Sequence, residues 1–453
     1  MPDPEQDLVS LPRKWQLEPE QEFRFEVAPG SKFKGTVKLV SGRAEIFGSE
    51  LAVGIDYVFT GRKLAVFTWH GCVLETVGLF TVEYIGYETP MQSYLNVHLA
   101  LEGMRDAAQL KNEPGPRVII VGQADSGKTA LAKLLINFAA KQSRAPVFVD
   151  LDPSQGTVSL PGTLSAMVVG RPLDCEEEFG APLTVAGTTP LVYYHGQATP
   201  LEKISLYNSI VKKLSLVVDK KLESSENKAS GLIADTPSQF ADPNGFEHLN
   251  HTIEALKANV ILVIGHERLY SDLFRKYSDK PGMNVVKLNK SGGVVTRDKE
   301  IRRKMQMQRV KEYFYGTHKT EMMPFSQTVP FSEVVVRRVG EGILAPSSAL
   351  PLGTERKQQD TKYVKVEPGD ILLHSILALS QAPLPGVVGP SGLPTKIYTP
   401  EEESQTLLES NVAGFIYISE VEDERRKMTV LAPSPGKIPK QFLIMGTLKW
   451  MDI

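Results

Sequence analysis

Eight contiguous residues, Gly122-Gln123-Ala124-Asp125-Ser126-Gly127-Lys128-Thr129, carry the spacing that wraps a chain of phosphates. Gly122 and Gly127 let the backbone bend around phosphate oxygens. The N–H groups of Ala124, Asp125 and Ser126, with the N-terminus of a following helix, face the negative charge. Lys128 would neutralise the β and γ phosphates, and the Thr129 hydroxyl would ligate Mg²⁺. The apolar run Val118-Ile119-Ile120-Val121 stands directly before the loop, and a helical pattern opens near Lys128. That strand–loop–helix context separates a phosphate loop from a chance glycine turn. The expected ligand is a nucleoside triphosphate, ATP with Mg²⁺.

Two further sets of acids could share that chemistry. Asp150-Leu151-Asp152-Pro153-Ser154-Gln155 ends a second apolar run, and in open α/β sheets ligands lie beyond the carboxyl ends of the strands. One of these acids could hold a magnesium-bound water and the other accept a proton from an attacking hydroxyl. The alternative is a pair of solvated acids opening a turn before Pro153. Asp235 ends Leu232-Ile233-Ala234 in the manner of a Walker B strand, a second candidate for the magnesium shell, although many strands end in Asp. Asn289-Lys290-Ser291-Gly292 bears on the base: a guanine loop of the Asn-Lys-x-Asp kind needs an acid where Gly292 stands, which argues against a GTPase. From Arg297 the chain is basic through Lys299, Arg302, Arg303, Lys304, Arg309 and Lys311. Such a helix could close over the phosphates as a lid, or simply be a solvated basic face.

The elements that must position these residues divide the chain in three. A length of 453 residues exceeds one hydrophobic core. The apolar fraction of 42% and charged fraction of 23% are those of an ordinary globular protein, and the formal charge of −2 gives no global basic field for nucleic acid. Cys72 and Cys175 are the only cysteines, which excludes a disulfide framework and a multi-cysteine zinc site and suggests a reducing compartment. Residues Met1 to Leu11 do not read as a signal peptide, and no apolar run approaches a membrane span, so no membrane partner is expected.

From Glu22 to Tyr84 the apolar residues recur with period two between glycines, the pattern of an all-β sandwich or jelly roll. A helix is expected around Tyr94 to Ala108, with Leu95, Leu99, Leu101 and Met104 facing the core, and Lys111 to Pro116 reads as a linker. Continuous apolar runs at Val118–Val121, Val147–Val149, Leu232–Ala234 and Val260–Ile264 predict a parallel sheet covered by helices at Lys128–Lys141, Leu206–Lys221 and His248–Lys257. Ser224 to Ala229 reads as a polar surface loop. Strand patterns return at Glu333–Val336, Phe415–Ile418 and Met428–Leu431, and Gln381 to Thr395 is a loop crowded with Pro and Gly. The expected fold is α/β: a central P-loop domain (106–322), an N-terminal all-β sandwich (1–105) and a small C-terminal β-rich domain (323–453).

These residues, in this order, resemble the eukaryotic polyribonucleotide 5′-hydroxyl-kinase family, whose members double as subunits of the mRNA 3′-end cleavage and polyadenylation machinery. The resemblance spans nearly the whole chain. It rests on Ala44-Glu45-Ile46-Phe47-Gly48, Ala65-Val66-Phe67-Thr68-Trp69-His70-Gly71, Gly115-Pro116-Arg117-Val118, the phosphate loop and Pro161-Gly162-Thr163. Further matches are Lys290-Ser291-Gly292-Gly293-Val294, Glu312-Tyr313-Phe314-Tyr315-Gly316 and Val412-Ala413-Gly414-Phe415. The resemblance implies that the first domain holds the nucleotide base through Glu22 and Lys63. It also implies a general base at Asp152 and lid arginines at Arg297 and Arg302. Active kinases of the family carry Asp-Val-Gly-Gln where this chain has Asp152-Pro153-Ser154-Gln155. They also carry a Thr-Cys-Gly-Trp clasp where it has Asp235-Thr236-Pro237-Ser238-Gln239, and no tryptophan lies between Trp69 and Trp450. An aromatic stacked on a base contributes roughly 1–3 kcal/mol, enough to matter for holding a single-stranded RNA end. This version is similar to the fungal branch, thought to bind ATP without phosphorylating RNA. The implied role is an ATP-bound nuclear subunit of the cleavage factor, joined to its other subunits, including the scaffold that binds the polymerase tail, and touching RNA weakly or indirectly. An active RNA 5′-hydroxyl kinase is the alternative.

Overall fold

The computed structural model describes residues 11–28, 34–177, 179, 189–224, 228–340, 361–385 and 397–451. The leader reading at Met1 to Leu11 therefore falls almost wholly outside the described residues, as does most of the Gln381–Thr395 loop.

The N-terminal part is a sandwich of two antiparallel sheets. One runs in the order Arg13–Leu17, Cys72–Gly78, Gly35–Gly42, Asp56–Phe59, and the other Ser49–Glu50, Glu45–Ile46, Lys63–Thr68, Gln21–Glu26, Val82–Gly86. Alternation along Gln21–Glu26 sends Phe23 and Phe25 into the sandwich core with Val37, Leu39, Phe59 and Leu74. The opposite face carries Glu22, Arg24 and Glu26, because successive side chains of a strand point to opposite sides. Across the pair Glu22 faces Phe67, Arg24 faces Ala65 and Glu26 faces Lys63. Phe67 packs into a core that belongs to the central domain. This outer face thus packs against the central domain.

The helix Met91–Lys111 follows and runs unbroken through residues 105 and 106. Its buried face is Met91, Tyr94, Val97, His98, Leu101 and Arg105, with Leu95 and Met104 partly covered. Leu99 is 54% exposed and makes no core contact, contrary to the sequence reading, because it lies on the opposite side of the turn from Val97 and Leu101.

The central sheet has the order Leu191–Tyr194, Thr163–Val168, Val147–Asp150, Leu232–Asp235, Arg117–Gly122, Val260–Ile264, Asn284–Leu288. The last five strands are mutually parallel, and an antiparallel pair extends one edge. Helices Lys128–Lys141, Ile204–Glu223, Phe246–Ala255 and Glu267–Tyr277 cover it, as the apolar strands require. The Ser224–Ala229 segment differs from expectation. Residues 225–227 lie outside the described residues, but Lys228–Ser230 forms a tight turn whose Ala229 and Ser230 are buried. The turn is held in place by Arg105 Nε donating to the Ser230 carbonyl at 3.1 Å and the Gly115 amide donating to the Lys228 carbonyl at 3.0 Å.

The C-terminal sheet has seven strands in the order Phe325–Pro330, Lys427–Ala432, Val412–Glu422, Ser375–Ser380, Phe442–Lys449, Val335–Val339, Tyr363–Val366. One of its faces shares a core with the central domain through Tyr194, Val310, Phe314, Phe415, Tyr417 and Trp450. Among the described residues no helix is long and apolar enough to cross a membrane.

A candidate nucleotide-binding site

The central strand Arg117–Gly122 delivers the phosphate loop to the head of helix Lys128–Lys141. Gly122 is required by packing: a Cβ there would lie 2.7 Å from Ser126 Oγ and 3.0 Å from the Ile264 carbonyl oxygen. Asp125 and Gly127 hold positive φ, 53° and 94°, which tightens the loop. Lys128 is buried, and its Nζ donates to the carbonyl oxygens of Gly122 at 3.0 Å and Gln123 at 2.9 Å. Burial pushes the Lys128 pKa down, and the carboxylates of Asp235, Asp152 and Asp125 oppose it. Thr129 Oγ1 donates to Asp235 Oδ2 at 2.5 Å.

Parallel pairing sets Asp150 beside Asp235, and the two acids play different parts. Asp150 accepts the amides of Asp152 at 3.2 Å and Thr157 at 3.1 Å, so it ties down its own turn. Its pKa is pushed well above the ordinary carboxylate value, by burial first and then by Asp235 and Asp152. Burial raises Asp235 to about 6, with Lys128 and the Thr129 hydroxyl pulling it down. Asp235 Oδ1 is buried and has no hydrogen-bond partner among the described residues. An orphaned carboxylate oxygen one atom from a phosphate-loop hydroxyl fits the shell of a Mg²⁺ ion. Asp152 is buried with its carboxylate accepting the Ser154 amide at 3.0 Å and Gln155 Nε2 at 3.1 Å.

The start of the basic run packs against the phosphate loop. Asp298 caps helix Lys299–Tyr315 by accepting the Ile301 amide at 2.7 Å, and the helix N-terminus lies over the phosphate loop. Asp125 Oδ2 accepts Arg302 Nη2 at 2.6 Å and the Arg297 amide at 2.9 Å. Lys304 points to solvent beside Glu300, so one helix carries both a site face and a solvated face. One turn on, Gln306 Nε2 donates to the Ser154 carbonyl at 2.7 Å, linking lid and Asp152 turn. Neither Gln306 nor Arg24 is singled out by a sequence motif.

The sandwich supplies the remaining wall. Glu22 is buried, with Arg24 Nε on its Oε2 at 2.9 Å, and Arg24 Nη2 reaches the Glu88 carbonyl at 2.6 Å. A Cβ on Gly293 would sit 2.7 Å from Arg24 Nε, so the Asn289–Gly293 loop and this face of the sandwich are in direct contact. Tyr94 Oη donates to the Asn289 carbonyl at 3.1 Å on the same side. Lys63 is not with them. It forms an ion pair with Glu26 at 2.9 Å, four residues along the strand pair from Glu22, or about 13 Å at about 3.3 Å per residue. The structure thus brings the phosphate loop, with Gly122, Ala124, Asp125, Ser126, Gly127, Lys128 and Thr129, together with Asp152, Asp235, Arg297 and Arg302. Glu22 lies on the sandwich face whose Arg24 meets the Asn289–Gly293 loop, and Lys63 lies further along that face.

The Asp235–Gln239 segment, read from the sequence as the counterpart of the kinase clasp, turns inward. Thr236 Oγ1 donates to the Ile120 carbonyl at 2.7 Å, and Ser238–Ala241 and Pro243–Gly245 form two tight turns. Phe240 is 1% exposed, packed edge-on against Tyr207 at 5.5 Å.

A parallel sheet whose central strand runs through a phosphate loop into a helix defines a P-loop nucleotide-binding protein. Three family models match successive parts of the chain. Residues 16–108 match the N-terminal β-sandwich domain of polyadenylation factor, 122–316 the mRNA cleavage and polyadenylation factor CLP1 P-loop, and 322–452 the pre-mRNA cleavage complex II protein Clp1. The Arabidopsis thaliana "Protein CLP1 homolog" is 41% identical over 445 residues, 96% of this chain and 94% of that one. The Bos taurus "Polyribonucleotide 5′-hydroxyl-kinase Clp1" is 39% identical over 443 residues, 97% of each. The Clp1p chain of a solved wild-type Clp1p–Pcf11p complex superposes with a TM-score of 0.82 at 26% identity, covering 98% of this chain and 99% of that one. The chain belongs to the Clp1 family. The three-part architecture and the family read from the sequence are both borne out.

Proposed function

We propose that this chain is the ATP- and Mg²⁺-binding subunit of a nuclear pre-mRNA 3′-end cleavage and polyadenylation complex, and that it transfers little phosphate to RNA. The observation that carries the reading is the site itself: a complete phosphate loop and Walker B acid beneath a lid, beside a clasp segment folded into the core. Lys128 neutralises the β and γ phosphates after leaving its loop carbonyls. Thr129, Asp235 and Asp152 would hold a Mg²⁺ ion, which would supply charge neutralisation to the triphosphate. Glu22 would hold the base, and Lys63 would reach the nucleotide only by giving up its ion pair with Glu26. Sandwich and central domain are then fastened by one ligand. Two solved relatives are of Clp1p with Pcf11p, and one is described by ATP loss in a glycine-to-arginine point mutant. For this chain we infer a partner of the same kind, the scaffold subunit that binds the polymerase tail, with RNA touched weakly or indirectly.

Phosphoryl transfer depends on positioning. Phe240 is buried, and Phe246, the other aromatic of the 235–246 segment, is partly buried against the core with Lys276 Nζ 5.9 Å from its ring centroid, so neither is placed like a clasp aromatic. The second reading, an active 5′-hydroxyl kinase with Asp152 as general base and Arg297 and Arg302 on the transferred group, is favoured by one observation: relatives named as kinases are 39% identical, against 26% for the solved Clp1p chain. Incubating the purified chain with γ-labelled ATP and a 5′-hydroxyl oligoribonucleotide decides between them. The proposal expects ATP binding with negligible label on RNA. Label at ordinary kinase rates, abolished by Asp152→Ala, makes the chain an enzyme.

A further inference from the structure

Asp125 is an odd residue to find in a phosphate cradle. Phosphate binding by the loop uses backbone N–H groups, so the side chain at this position is not needed for it. Its φ of 53° is a conformation that glycine adopts most readily. A carboxylate beside phosphates repels them unless a cation pairs with it. Yet the side chain is only 6% exposed and is committed to the lid. Both hydrogen bonds to Oδ2 come from there, the Arg302 guanidinium at 2.6 Å and the Arg297 amide at 2.9 Å. The Arg297 amide precedes the helix cap Asp298, and Arg302 lies in the first turn after it. One carboxylate oxygen therefore fixes both the entry and the first turn of the lid helix. Arg302 spends one Nη2 donor on Asp125, and a guanidinium has five N–H donors in a rigid fork. The others remain for phosphate oxygens.

We propose that Asp125 is a positioning residue, a latch that draws the lid onto the phosphate loop through Arg302 and the Arg297 amide and so slows the escape of bound nucleotide. The inference rests on the reading of the loop as a triphosphate site. The opposite expectation is also physical: a carboxylate that only repels phosphate would make its neutralisation prolong binding. The two signs separate in one experiment. Full-length protein is loaded with a fluorescent N-methylanthraniloyl-ATP and Mg²⁺, chased with excess ATP, and the release rate followed by stopped flow. The variants are Asp125→Asn, Asp125→Gly, Arg302→Gln and the Asp125→Asn/Arg302→Gln double. Asn keeps the shape and the tolerance of positive φ, and Gly relieves any backbone strain. Each single change should speed release about tenfold or more, the scale of a lost charge-assisted hydrogen bond. The double should be no faster than the faster single, because the two residues act as one device. Release that is unchanged or slowed in Asp125→Asn and Asp125→Gly overturns the latch, as does a double equal to the product of its singles. A wild-type chain that takes up no labelled ATP would instead bring down the reading of the loop, and the latch with it.

Discussion

Replacing Thr129 by Val removes one hydroxyl and keeps the side-chain shape. Thr129 Oγ1 donates to Asp235 Oδ2, and Asp235 Oδ1 has no partner among the described residues. The substitution therefore strips a fully buried carboxylate of its hydroxyl contact. A hydrogen bond to a charged group is worth roughly 1.5–3 kcal/mol, so the nucleotide-free protein should lose about that much stability at neutral pH. The same hydroxyl is the expected Mg²⁺ ligand. The magnesium-dependent part of ATP affinity should fall by roughly ten- to a hundredfold, taking about 1.4 kcal/mol per decade. Binding without metal, which rests on Lys128 and the loop amides, should change little. Calorimetric titration of ATP with Mg²⁺ and with EDTA gives both numbers for each protein. A ratio of the two affinities that is the same in Thr129→Val and wild type would refute the assignment of Thr129 and Asp235 to the metal shell.

Lys63→Ala breaks a partly exposed ion pair with Glu26, a contact worth about 0–1 kcal/mol, so the nucleotide-free melting temperature should barely move. A ligand at a hundredfold excess over its Kd adds roughly 2.7 kcal/mol, and this ATP-dependent gain should shrink in the variant; an identical gain removes Lys63 from the site. His195 is buried between the carbonyls of Gln197 and Lys203, and desolvation lowers its pKa from 6.5 to about 4. The unfolded chain takes up the proton first as pH falls, so about 3 kcal/mol of stability should drain away between pH 6.5 and 4. Denaturation midpoints of His195→Gln across that window should slope less than wild type, and equal slopes would refute the burial argument. Trp450 stacks on Phe314 of the lid helix with centroids 5.7 Å apart, so Trp450→Ala should cost about 3–5 kcal/mol and quicken hydrogen exchange in 299–315. Unchanged exchange there would uncouple the C-terminal sheet from the lid.

The phosphate loop was legible because its chemistry is contiguous: strand, glycines, Lys128 and Thr129 follow one another, and each constrains the next. The parallel strands were legible for a similar reason, since burial on both faces leaves an apolar run that no half-exposed strand shows. What could not be read are partnerships across the chain. Asp125 meets Arg302 over 177 positions, and nothing in either local sequence announces the other. Arg24 looks like an ordinary outward residue of an alternating strand until Gly293 is seen against it. Leu99 sits in a helical pattern with several apolar residues, and only the packed face formed by Tyr94, Val97 and Leu101 shows which side wins. The edge strands Thr163–Val168 and Leu191–Tyr194 mix small, polar and apolar residues and give no clear period. Lys63 came from motif position alone, and a motif does not reveal that Glu26 stands opposite it.

The most direct test is calorimetric titration of Mg²⁺-ATP into the nucleotide-stripped chain and its Lys128→Ala variant, with GTP as competitor. Lys128 is the buried cation at the head of the phosphate-loop helix, surrounded by Asp235, Asp152 and Asp125. The account predicts saturable one-to-one binding by the wild type, loss of most of that affinity in Lys128→Ala, and poor displacement by GTP. Equal ATP affinity in the two proteins would contradict it.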